Sequence, residues 1–427
     1  MFSILAQALR LAATRWPALL AWYLAGWLAR YLLIEVAAIA GASSALLGLM
    51  IMPLAILARL GSFLAMFLVL RSAMPAFSTL SDKGADSVDR TRLSGIRSKA
   101  SGVTQIFLVS IVPFFTFYAA WKLFEADTVQ YAQSALKKIN PFEERNQNTV
   151  LTLQLDATTI TVVVVAFVCR FAIKRYSAKL PRWTNLIAVY LESLWVYLTI
   201  FLITDYFEDY SAWVSTRVVV QWYENLWASV GDFFTPLAVL WGSLQWVIGE
   251  VGDLALLPLA WLTLAGVIYG RALAQAAVRF QPRNRYYASA RERITALPKG
   301  VFRRLKDVGV DFLSRFTPVT NALVLIWRAG VVPMGLFVLA YQALEAGSIW
   351  LDFAAVRIIG PHDLDSWWMN FDGMLTFAVA LLIEPLRLCL VAAAYDFCLR
   401  KLEERRADAS VRQAVADTVE ARPTLPA

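Results

Sequence analysis

Apolar residues in this chain fall into blocks of about twenty, separated by polar segments. A helix rises about 1.5 Å per residue, so about twenty residues cross a hydrocarbon layer roughly 30 Å thick. Within such a layer every backbone N–H and C=O must find a partner inside the segment, which favours the α-helix. Eight blocks meet the length requirement: 17–40, 45–70, 103–123, 155–174, 184–204, 254–272, 321–344 and 374–399. They predict an all-α integral membrane protein with about eight transmembrane helices. Only 17% of the residues are charged, against about a quarter in soluble domains. Sixteen Trp, fifteen Tyr and twenty-five Phe supply rings suited to the membrane interfaces. In Met1–Arg15 the basic residues stand at the wrong end for a signal peptide, and the next block is too long for a signal core. The first span is therefore expected to anchor the chain.

The connecting segments alternate in charge, and this sets the expected orientation. The longest basic segment, Arg271 to Arg315, holds eleven Lys and Arg and belongs inside by the positive-inside rule. Both termini then lie on the cytoplasmic side of a cell membrane. The apolar stretch Phe233–Ile248 contains Pro236 and could be a ninth crossing. A crossing there would send the 271–315 segment outward, so the stretch is expected as an interfacial or re-entrant element on the outer side. Trp213, Trp222, Trp227, Trp241 and Trp246 would gather there at headgroup level. The apolar positions Val219, Tyr223, Leu226, Val230 and Phe233 recur every three to four residues, the period of a helix lying on an apolar surface.

The order of features suggests four tandem hairpin units with interfacial amphipathic helices. Each unit reads as a basic lead-in, an outward span, an outer connection and an inward span. The lead-ins are Met1–Arg15, Ser87–Gly102, Lys174–Trp183 and Lys299–Thr317. Outward spans end near Glu35, Glu125, Asp205 and Glu345; inward spans end at Arg71, Arg170, Arg271 and Arg400. The expected division is hairpin unit 1 at 1–80, unit 2 with a polar outer loop at 87–174, and unit 3 with Trp-rich outer helices at 175–280. A basic cytoplasmic interfacial segment follows at 281–317, then unit 4 at 318–405 and a disordered cytoplasmic tail at 406–427.

Ionisable residues inside spans are the strongest pointers to function, because a charge at mid-membrane costs about 2.5–3.5 kcal/mol. The candidate intramembrane polar network is Arg30, Arg59, Glu192, Arg328, Glu384 and Arg387. Glu192 and Arg328 each lie eight residues past the Thr that opens their span, which suggests a pair. Glu384 and Arg387 are three apart on one helix face and can pair locally. Gly266 and Gly270 have the spacing of a close helix–helix contact. Cys169, Cys389 and Cys398 are expected as small packing residues, with no disulfide.

Enzyme signatures are missing. The one histidine, His362, stands near Asp363 and Asp365, too few ligand types to define a metal site. No Walker lysine, dinucleotide loop or HExxH occurs, so neither an enzyme nor a cofactor is expected. The net charge of +8 does not indicate nucleic acid, because basic residues flank spans where anionic lipid accounts for them. The expected partners are the bilayer and anionic lipid at the basic inner loops. The expected function is a transport-related subunit for lipid, ion or small molecule. The alternative is a scaffold subunit with protein partners in a membrane complex. In a chain stripped of its three native cysteines, His362→Cys should react with an impermeant thiol reagent from outside and Asn284→Cys should not. The opposite labelling pattern refutes the orientation.

Overall fold

The computed structural model describes residues 2–75, 110–111, 114–115, 118, 123–138, 157–176, 180–181, 184–218, 220, 222, 235–275, 320, 322–327 and 329–420. Among the described residues there is no strand. The helices are α1 (Phe2–Ser43), α2 (Ala45–Arg71), α3 (Leu123–Leu136), α4 (Ala157–Arg175), α5 (Thr184–Ser215), α6 (Thr235–Gln275), α7 (Val331–Ile359) and α8 (Met369–Glu420), with a π-helical turn at Leu364–Trp368 before α8. Five segments are long and apolar enough to cross a membrane: Ser3–Ser43, Ala45–Arg71, Thr184–Ile203, Val331–Ile359 and Leu364–Glu404. Thr158–Ile173 and Leu254–Gly270 are shorter apolar helices. Together they overlap seven of the eight expected blocks, and the block expected at 321–344 is broken at Gly330, with its helix running on to Ile359. Most of the remaining block, 103–123, lies outside the described residues.

Several boundaries differ from expectation. The lead-in Met1–Arg15 is no separate interfacial helix: α1 runs unbroken from Phe2, because nothing before Pro17 interrupts it and the ring there is accommodated within the helix. The 87–102 and 299–317 lead-ins lie outside the described residues, as does nearly all of 219–234. Residues 235–248 join the expected sixth span in one helix of 41 residues. A re-entrant element needs a chain reversal, and none occurs within α6. Residues 406–420, expected as disordered tail, continue α8. Their Ala, Arg and Glu content favours a helix once a preceding turn exists.

The chain divides into two compact units. One comprises Leu24–Phe63 and Ala100–Ala260. Its first hairpin turns between Ser43 and Ala45, and α3 packs against it through Tyr131. A Cβ on Gly41 or on Gly48 would overlap the Tyr131 hydroxyl, so two glycines admit one ring to the mouth of the hairpin. On α3, Asp127, Tyr131 and Ala135 form the buried face at the i, i+4, i+8 spacing of a helix stripe. The α4–α5 hairpin closes through an edge contact of Phe167 and Trp195, ring centroids 5.4 Å apart. The Tyr190 hydroxyl donates to the Met50 carbonyl at 3.1 Å.

The other unit comprises Met1–Tyr23, Leu64–Lys99 and Trp261–Ala427. Tyr269 lies at its centre: the hydroxyl donates to the Phe67 carbonyl at 3.0 Å, and the ring meets Phe67 and Tyr395 at 5.6 and 5.2 Å. A Cβ on Gly266 would collide with Ala322, so this glycine serves internal packing, while Gly270 has nothing within 4 Å. A break precedes α7 at Gly330, whose φ of 107° suits glycine alone. Pro333 follows in the first turn, where a missing N–H breaks no intrahelical bond.

The α7–α8 hairpin has a short connection. Gly360 ends α7 with φ 86°, and Asp363 caps the π-helical turn, accepting from the Ser366 N–H at 2.8 Å and the Ser366 hydroxyl at 2.7 Å. Those Ser366 bonds hold the Asp363 carboxyl below its ordinary pKa. Gly41→Leu should test the ring-in-hairpin packing, because the nearest atoms its Cβ meets all belong to Tyr131. Overfilling a close-packed contact costs about 1–3 kcal/mol, so the variant in detergent should melt several degrees lower. Pairing it with Tyr131→Ala, which removes the obstructing ring, should give a smaller loss than the two single losses added.

Candidate functional site

Four buried or half-buried ionic groups organise the described helices. The first is built on Asp127, whose side chain is 1% exposed. α3 turns this residue toward α1 and α2 because its neighbours on the same face, Tyr131 and Ala135, are apolar or small. Arg30 donates to Oδ1 from both Nε, at 3.0 Å, and Nη2. Tyr118 donates its hydroxyl to Oδ2. Arg59 lies 3.9 Å from Oδ1 and donates to the Tyr118 hydroxyl at 3.1 Å, with its guanidinium over the rings of Phe63 and Tyr118. Gln130 accepts a further bond from Arg30 at 2.7 Å. Two guanidinium groups thus share one carboxylate. Farther along the same helices, Lys138 pairs with Glu35 at 2.5 Å in a more open setting.

The second group joins α4 and α5: Arg170 pairs with Glu192, side chains 12% and 1% exposed. Arg328, expected opposite Glu192, lies outside the described residues. The structure therefore supplies Glu192 with a partner from its own hairpin, one that sequence register did not suggest.

The third group lies between α7 and α8. Arg387 donates to Glu384 Oε1 at 2.6 Å and to Glu345 Oε2 at 2.5 Å, and its guanidinium lies 5.6 Å from the Tyr341 ring centroid. The local Glu384–Arg387 pair was legible from the spacing of three. Glu345 was read as the outer end of its span, but α7 continues another 14 residues to Ile359, placing Glu345 about 21 Å inside the helix. Three buried atoms here have no hydrogen-bond partner among the described residues: Glu384 Oε2, Arg387 Nε and the Tyr341 hydroxyl. Buried polar atoms are nearly always satisfied by protein or water, so this cluster has capacity for a further polar guest. Glu345 is its open side, 37% exposed against 13% for both Glu384 and Arg387.

The fourth group ties the first helix to the last. Gln7 donates to Asp396 at 2.7 Å and accepts from Arg400 at 2.6 Å, while Arg400 lies 3.5 Å from Asp396.

Of the six residues selected from sequence, Arg328 lies outside the described residues, and the structure gives Arg30, Arg59, Glu192, Glu384 and Arg387 each a charged partner. Sequence reasoning missed Asp127 and Arg170. Asp127 lies past the apolar block and was counted with the outer loop, although its i, i+4, i+8 match with Tyr131 and Ala135 was available. Arg170 was taken only as a span terminus. Among the described residues no group of three His, Cys, Asp or Glu is arranged for a metal. His362 stacks on Trp367 at 4.6 Å. Cys389 and Cys398 are buried and free, but Cys169 is exposed, which corrects its assignment as a packing residue; its neighbours Val165 and Val168 face outward with it. Comparison of the chain with family models, curated proteins and solved structures finds no match.

Removing one partner of a buried pair leaves an uncompensated charge, at a cost of about 3–5 kcal/mol. Arg170→Met and Glu192→Gln should each destabilise α4–α5 on that scale, and the double variant should recover much of the loss. Melting of the three proteins measures the coupling; additive losses would show that the pair contributes nothing jointly.

Proposed function

We propose that this chain is a multi-pass membrane protein with eight crossings and cytoplasmic termini, acting as a transport-related subunit whose proton- or cation-accepting centre is the Glu345–Arg387–Glu384 cluster. The observation that carries the reading is the mismatch of charge and bonding there. One guanidinium faces two carboxylates, leaving a formal charge of −1 in a partly buried setting. An uncompensated charge in low dielectric is costly, and a bound proton or monovalent cation neutralises it. The unpartnered Glu384 oxygen and Tyr341 hydroxyl are oxygen ligands suited to either. Glu345, the more exposed acid, is the entry side, and Glu384 the inner one. Arg387 holds both carboxylates in place and keeps their affinity for the guest moderate, as release requires. No enzyme chemistry and no cofactor enter this reading.

A scaffold role in a membrane complex is the second reading. It is favoured by Arg170–Glu192, a buried ion pair that joins neighbouring helices.

In proteoliposomes carrying a pH-sensitive dye, an imposed potential should drive proton or cation flux through the wild-type protein. Glu384→Gln should lower flux per folded molecule by at least tenfold while shifting the melting temperature little. Equal losses of flux and folding would assign Glu384 to packing, and undiminished flux in the Gln variant would end the transport reading.

A further inference from the structure

Residues 10–15 of α1 and the residues just after α2 border an open cavity of about 370 Å³ lined by Arg10, Leu11, Thr14, Arg15, Ala73 and Pro75. We propose that it binds the phosphate headgroup of an anionic phospholipid; the inference is independent of the transport reading. The volume lies in the range of small-molecule sites, roughly 300–1,000 Å³. Its donors are two guanidinium groups. Neither Arg10 nor Arg15 forms an ion pair among the described residues, unlike Arg30, Arg59, Arg170, Arg387 and Arg400, each of which faces an acid. Thr14 adds no donor, because its hydroxyl is given to the Arg10 carbonyl at 2.8 Å. Among the described residues no carboxylate lines the cavity, and its two charged lining groups are both positive.

Guanidinium groups bind phosphate oxygens through paired N–H donors, which defines the ligand chemistry as a phosphate. The surroundings select its source. The cavity borders Ser3–Ser43, a segment long and apolar enough to cross a membrane, so acyl chains have an apolar surface within reach. Leu11 closes the cavity floor, 2% exposed. A positive cavity on an apolar helix of membrane-crossing length matches an amphiphile, whereas a free phosphate would use only the cavity. The net double positive charge further favours a headgroup of net negative charge over a zwitterionic one.

The full chain in detergent, titrated separately with phosphatidylglycerol, phosphatidylcholine and inorganic phosphate, tests the proposal when bound species are counted by native mass spectrometry. Phosphatidylglycerol should bind at concentrations at least tenfold below those needed for phosphatidylcholine. Arg10→Gln with Arg15→Gln should abolish that preference. Ala73→Trp should also abolish it, because the ring fills the cavity while both arginines remain. Melting curves without lipid identify any variant that fails to fold, and Arg10→Lys with Arg15→Lys should then retain part of the preference. Preference lost on arginine removal but kept in Ala73→Trp would mean diffuse surface attraction and overturn the cavity. Preference kept in both variants would overturn the site. Arginine-dependent binding of inorganic phosphate without selective binding of phosphatidylglycerol would overturn the lipid source.

Discussion

Arg30 and Arg59 stand at nearly the same level in the first hairpin, one about 20 Å before its turn and the other about 20 Å after it. Two guanidinium groups so placed on adjacent helices repel, and burial strengthens the repulsion. The Asp127 carboxylate, brought in by α3, reverses the sign of that interaction. Tyr118 then occupies the second carboxylate oxygen, and Gln130 takes a remaining Arg30 donor. The ring of Tyr131, one helical turn beyond Asp127, meets the glycines at the mouth of the hairpin. The position of α3 therefore follows from one electrostatic requirement and one steric allowance. Neither the hairpin nor α3 meets both alone.

The ionic groups differ in balance, and the difference separates their roles. Arg170 and Glu192 pair across neighbouring helices. Among the described residues, Asp127 faces two bases and Arg387 faces two acids. The first of these unequal groups offsets its excess with a tyrosine hydroxyl, a glutamine carbonyl and aromatic faces beside Arg59. The second has a single aromatic ring beside its arginine and unpartnered oxygens. Charge excess with its donors and acceptors engaged stiffens a bundle. Charge excess with spare ligands invites a guest.

Apolar block length made most of the spans legible, because the thickness of a hydrocarbon layer acts on composition directly. Charge inside a block made Arg30, Arg59, Glu192, Glu384 and Arg387 stand out for the same reason. Partners were less legible. Asp127 meets Arg30 from 97 residues away, and its block boundary marked it as loop. Glu345 looked like a terminus because hydropathy falls there, yet the helix continues with Ile349, Trp350 and Phe353. Hydropathy marks where a chain leaves lipid, whereas hydrogen bonding decides where a helix stops, and in α6, α7 and α8 the two places differ. The joining of 235–248 to the next span illustrates this: Gly249, Gly252 and Asp253 weaken a helix prediction, but none removes a backbone donor.

The connection from Gly360 to Asp363 is four residues long and is held at one end by the Asp363–Ser366 bonds. A tether of that length prevents α7 and α8 from sliding along each other by a helical turn. The Arg387–Glu345 bond, well below the tether, pins the same two rods at a second point. Two pins on a pair of stiff rods leave tilting together, or opening about the tether like tongs once the lower pin releases. Removing the Glu345 charge would loosen that lower pin, so one carboxylate sets the angle between two helices that the tether alone leaves free.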